Sequence, residues 1–141
     1  MKTKLRNILP VYRAFGEAMV TTIEDSEVIK IINARKSMRP HIKEFEDFIE
    51  DAKEKMKPAG FDEKMKKVKD WNKLSDDERN EINDIIENEY KNKIDKVCVQ
   101  ELDKEVDVQY EPLSDESVMK ILKENRWPVN KLDILELMCE K

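Results

Sequence analysis

"EVDVQYEPLSDE", residues 105–116, is the one stretch of this chain in which apolar and polar residues alternate. Val106, Val108 and Tyr110 fall on one side and Glu105, Asp107 and Gln109 on the other, the period-two pattern of a half-buried strand. A strand by itself leaves backbone N–H and C=O groups unpaired, so its partner decides how the rest of the chain is arranged. Within the chain, "MVTTIED" at 19–25 is the only other β-branched stretch outside a helical stripe, and a two-stranded ribbon between the two is one expectation. Such a ribbon keeps an outer edge. Val106, Val108 and Tyr110 are therefore candidate partner-binding residues, for a strand added from another protein, with Pro112 closing the run.

Around that strand the chain reads as helix. Of its 141 residues, 42% are charged and 39% apolar, with two Gly and five Pro, the balance of long, solvent-washed helices. A first helix is expected from Lys4 to Met19 on the stripe Leu5, Ile8, Leu9, Tyr12 and Phe15, ending at "TTIEDSE". A second carries Val28, Ile31, Met38, Ile42, Phe45, Ile49, Ala52 and Met56 in alternating steps of three and four, a heptad seam with Arg35 at its one polar place. A polar residue at one seam position commonly sets register or partner, so Arg35 is a further candidate partner-binding residue. Pro40 lies opposite the seam, where it can bend the helix without removing a core contact.

"KPAGFD" at 57–62 marks a turn, and a short basic helix follows through "EKMKKVKDW". "SDDE" at 75–78 has capping-box spacing, with Ser75 accepting and Glu78 reaching back. It opens a long helix on Ile82, Ile85, Ile86, Tyr90, Ile94, Val97, Cys98 and Leu102. After the strand, Ser114 caps a short helix carrying Val118, Ile121 and Leu122, and a last helix follows "RWP" with Leu132, Leu135 and Met138. The expected fold is mainly α: a long antiparallel helical hairpin of coiled-coil type, additional short helices, and a small β element near residues 105–110. One helical domain over 1–141 is expected.

Residue patterns for chemistry are sparse. His41 is the only histidine, and helical di-iron sites need two Glu-x-x-His motifs. "DWNKLSDDERNE" places Asp70, Asn72, Asp76 and Glu81 at calcium-loop positions but has Leu74 at the fifth place and Ser75 where glycine is needed. Neither Gly16 nor Gly60 belongs to a phosphate-binding fingerprint. No catalytic residue, metal or cofactor is expected. Cys98 and Cys139 match no ligand or redox spacing, and no apolar run approaches the roughly 18 residues of a membrane span. The reading is a soluble cytoplasmic protein with reduced thiols and no membrane partner.

Charge is uneven. Residues 1–74 hold 17 Lys/Arg against 13 Asp/Glu, and residues 75–141 hold 10 against 19. Residues 53–69 contain seven lysines against three acids, so Lys64, Lys66 and Lys67 are the candidate contacts of the alternative reading, a nucleic-acid-binding or host-directed regulatory protein. That stretch lacks interleaved arginines and has few aromatics, which favours a solvated turn.

The element order, with "INARKSMRPHIKEFEDF" in the second helix and "KEVDVQYEPLSDESVMKIL" after the long helices, resembles small accessory proteins encoded by tailed phages and prophages. The resemblance implies a non-enzymatic accessory or virion-morphogenesis factor acting through a protein partner or self-association. Its place would be the host cytoplasm or the virion. It supplies no catalytic residue.

Overall fold

Glu105–Asp107 (β2) pairs with Lys2–Lys4 (β1) in an antiparallel ribbon, in a computed structural model that describes residues 1–140. The register sets Thr3 opposite Val106. Bonds at each end extend it: Leu5 N–H to Lys104 O at 2.9 Å at one, and at the other Val108 N–H to Met1 O at 2.9 Å with the Met1 amino group donating to Val108 O at 2.8 Å. The expected pairing with residues 19–25 does not form. That segment is a turn whose polar groups are taken by the next-but-several helix instead: Glu124 accepts from the N–H and hydroxyl groups of Thr21 and Thr22, and Asn125 bonds both the N–H (2.7 Å) and the carbonyl (2.8 Å) of Met19. Two threonines hydrogen-bonded through their side chains to one carboxylate have no need of a ladder partner.

The chain forms two compact units, one of Met1–Glu44 with the chain from Leu102 on, the other of Phe45–Glu101. In the first, α1 (Leu5–Glu17) begins directly from β1 and buries Leu5, Ile8, Leu9 and Phe15 of the predicted stripe, with Val11 and Ala14 beside them, while Tyr12 is half-buried. Helix α2 (Asp25–Lys55) runs unbroken past an exposed Pro40 and contributes residues to both units. It buries Ile31, Ala34, Met38 and Ile42 in the first and Phe45 and Ala52 in the second. Each buried Ile, Met or Phe among them contributes about 1.5–3 kcal/mol.

In the second unit, the last turns of α2 and a returning helical rod make the expected antiparallel hairpin. The chain reverses at Gly60, which adopts φ 76, and passes through α3 (Phe61–Lys67) and a 3₁₀ segment (Val68–Lys73). The rod is α4 (Asp76–Asn83), a π-helical stretch (Asp84–Lys91) and α5 (Asn92–Leu102). Ser75 Oγ accepts from Glu78 N–H at 3.2 Å, while the Glu78 carboxylate accepts from the Ser75 hydroxyl at 3.2 Å, a capping box closed through side chains. Within the π stretch, Tyr90 donates to Lys53 O at 2.9 Å and its ring lies 4.5 Å from that of Phe61. The wider winding was not predicted from a sequence that supports an ordinary helical stripe.

Back in the first unit, α6 (Asp115–Asn125) starts at Ser114 and ends in a Schellman turn, with Trp127 N–H on Leu122 O (3.0 Å) and Arg126 N–H on Lys123 O (3.2 Å). Arg126 takes φ 54 there, a left-handed conformation that favours glycine. Arg126→Gly is expected to raise folding stability by about 0.5–1 kcal/mol, read from urea denaturation. The chain then forms α7 (Lys131–Leu135) and a 3₁₀ turn (Glu136–Met138), and closes with a parallel bridge between Leu113 and Cys139.

Candidate functional site

Residues 104–114 run extended along α2 in the opposite direction, and α2 side chains meet them one after another. Glu44 accepts from Lys104 Nζ at 3.0 Å, and His41 Nε2 bonds Asp107 O at 3.0 Å. Ser37 Oγ accepts from Gln109 N–H at 2.7 Å, Lys30 Nζ donates to Pro112 O at 3.2 Å, and Glu27 accepts from Ser114 N–H at 3.0 Å. Along α2, Glu27, Lys30, Ala34, Ser37, His41 and Glu44 recur in steps of three and four, so they share one face. Ala34, the apolar member, is buried. A carbonyl only accepts, which places the His41 proton on Nε2.

This ladder answers the question of the strand's second edge. Hydrogen-bonded pairing turns the backbones of Thr3 and Val106 toward each other and those of Asp107 and Gln109 away from β1. His41 and Ser37 bond to those outward groups. Val106 and Val108 are buried, and Tyr110 is half-buried with its phenol pushed up from its ordinary pKa by burial. The structure therefore gathers Val106, Val108 and Tyr110 with Ser37 and His41, which the sequence did not mark. Ser37→Ala is expected to speed amide exchange at Gln109 while leaving Val108, bonded to Met1, unchanged; equal acceleration at both positions would mean that the ribbon opens as a whole.

Glu27 is the most perturbed group. Burial raises its pKa, but hydrogen bonds from the Ser114 side chain and backbone, from Lys30 and from Ser117 together outweigh that and hold it down at about 2. Its Oε1 accepts from Ser114 N–H and Ser117 Oγ, each at 3.0 Å, and Oε2 lies 3.0 Å from Lys30 Nζ. In a capping box, the third helical residue reaches back to the cap N–H. Here that residue is Ser117, and a glutamate from another helix performs the task, joining the N-terminal turns of α2 and α6.

Arg35 lies elsewhere on α2, in a groove of about 250 Å³ between α1 and α2 that also exposes Lys36 and Arg39 above Phe15, Ile31 and Ile32. Its guanidinium carbon stands 4.3 Å from the centre of the Tyr12 ring, and Nε is buried without a hydrogen-bond partner. Gly16 gives it room, since a Cβ there would stand 3.2 Å from Nη2. In the other unit, Lys64 is committed to an ion pair with Glu81, whereas Lys66 and Lys67 are exposed on the seven residues of α3. The structure thus does not bring the three lysines together as equivalent free cations.

Among the described residues, no group of three or more His, Cys, Asp or Glu is placed to hold a metal ion, and no helix is long and apolar enough to cross a membrane. Compared with known proteins, the chain matches no family model, no curated protein and no solved structure.

Proposed function

We propose that this chain is a non-catalytic interaction protein that engages a protein partner through the solvent face of α2, in the manner of a phage-type accessory or assembly factor. One observation carries the reading. On α2, Ile29 and Ile32 stand 54% and 46% exposed although the same helix buries a full stripe on its other side. An amphipathic helix ordinarily keeps such residues on its buried face, and side chains this large left in solvent beside cations have the composition of an interface. Strand addition fits less well, because the outward backbone groups of Asp107 and Gln109 are engaged by His41 and Ser37.

Site-specific photo-crosslinking from position 32 of the full chain, expressed in its own cells, tests the reading. A single stoichiometric protein adduct, or a self-adduct matched by a dimer in sedimentation, is the expected result. A monomer that forms no adduct at position 32 would sink it. Replacing Lys64, Lys66 and Lys67 with Gln is expected to leave nucleic-acid binding, measured by fluorescence anisotropy at physiological salt, absent before and after; micromolar binding abolished by the change would favour a phosphate-binding role.

A further inference from the structure

We infer that the partner seated on this face is an acidic amphipathic helix, and that Arg35, Lys36 and Arg39 read its carboxylates. The inference rests on the interaction reading above and adds the chemistry of the occupant. Two periodicities meet on one side of α2, half-buried at Val28 and Arg35 and exposed at Ile29, Ile32, Lys36 and Arg39: Val28, Ile32, Arg35 and Arg39 step by four, three and four, and Ile29, Ile32, Lys36 and Arg39 by three, four and three. Both are spacings by which one helix meets another along its length. The apolar positions come first and the cationic ones follow within two turns, so the face is divided into an apolar half and a positive half.

Charge makes the choice of occupant. Arg35, Lys36 and Arg39 make no ion pair among the described residues, although other lysines and arginines of the chain find carboxylates nearby, as Lys30 does with Glu27 and Arg6 with Asp103. Three cations within five residues repel one another, and an opposing row of carboxylates removes that cost. Arg35 is held ready for this. Its guanidinium lies on Tyr12 and its Nε is buried, which fixes the plane of the half-exposed side chain; a planar donor fixed in one place suits recognition of a carboxylate. The groove beside it, floored by Phe15 and Ile31, is of a size for one apolar side chain rather than a cofactor.

The spacing sets the partner's pattern. At about 1.5 Å per residue, Lys36 and Arg39 lie roughly 6 and 10 Å along the axis from Ile32, so glutamates one and two turns from an apolar anchor come opposite them. A nucleic acid would meet the cations but leave Ile29 and Ile32 uncovered, which is why an amphipathic peptide is the better match.

The test uses the full chain and a labelled helical peptide bearing a leucine pair three residues apart, flanked on both sides by glutamates, against the same peptide with lysines. The glutamate peptide is expected to bind, more weakly as salt rises, and at least tenfold more weakly to Lys36→Glu/Arg39→Glu, whose exposed positions keep the chain folded, as circular dichroism checks. Ile32→Ser is expected to weaken it as well. Equal binding of the lysine peptide, indifference to the charge reversal, or equal competition by a short RNA duplex would each overturn the inference. If a crosslinked partner forms on both the native chain and the charge-reversed variant, the interaction reading stands and the acidic-helix inference falls.

Discussion

Leu113→Ala is expected to cost about 2–5 kcal/mol of folding stability, measured by urea denaturation of the full chain. Leu113 has no exposed surface, and its N–H donates to Met138 O at 2.7 Å in the bridge that ties the extended segment to the end of the chain. Its neighbours on either side are already engaged, Pro112 O by Lys30 and Ser114 N–H by Glu27. A backbone pinned at three consecutive residues cannot move inward to fill the space left by the side chain, so the cavity cost adds to the lost burial. A loss below about 1 kcal/mol would show that the segment relaxes, and that its ladder on α2 is weaker than the hydrogen bonds suggest.

Removing the Glu27 carboxylate is the second large effect. Its pKa falls from an ordinary 4.5 to about 2 in the folded protein, a difference worth roughly 3 kcal/mol of coupling between its charge and the fold. Because the folded pKa is the lower one, the stabilisation is complete above the unfolded value near 4.5 and is lost as pH falls toward 2. Glu27→Ala leaves Ser114 N–H and Ser117 Oγ short of an acceptor in a buried place, and is expected to destabilise by about 3 kcal/mol at pH 7. Glu27→Gln keeps an acceptor but loses the charge that carries this coupling, and is expected to cost about as much at pH 7. The difference in stability between the native chain and Glu27→Gln should be flat above about pH 5 and shrink steadily below it. A difference that stays constant to pH 2.5 would mean that Glu27 has the same pKa folded and unfolded, so that its charge adds nothing at the two helix starts.

The sequence by itself determined that the chain is mainly helical and where most helices lie, although α2 begins at Asp25, inside the "TTIEDSE" read as a break. Most of the burial on α1 and α2, the Ser75 and Ser114 caps, and the first half of the strand read at 105–110 each depend on residues within a few places of one another, and each is where local chemistry puts it. The returning hairpin also follows from local signals, a turn between two long apolar stripes. Tertiary structure alone decided what the strand pairs with. "KTK" at 2–4 is three residues long with no apolar alternation, and it becomes β1 because Thr3 comes opposite Val106, about a hundred residues away in sequence; no local pattern encodes a ladder closed over such a distance.

The ladder on α2 escaped for a related reason. Glu27, Lys30, Ser37, His41 and Glu44 have the spacing and polarity of any solvated helix face, and only the arrival of residues 104–114 turns them into hydrogen-bonding partners for an extended backbone. Their steps of three and four around a buried Ala34 were legible, but periodicity reports which residues share a face and carries nothing about what that face will meet. Arg35 divides the same way: its place in the seam could be read from spacing, whereas its seat on Tyr12 and the room left by Gly16 depend on α1 lying across α2, a contact made only in three dimensions.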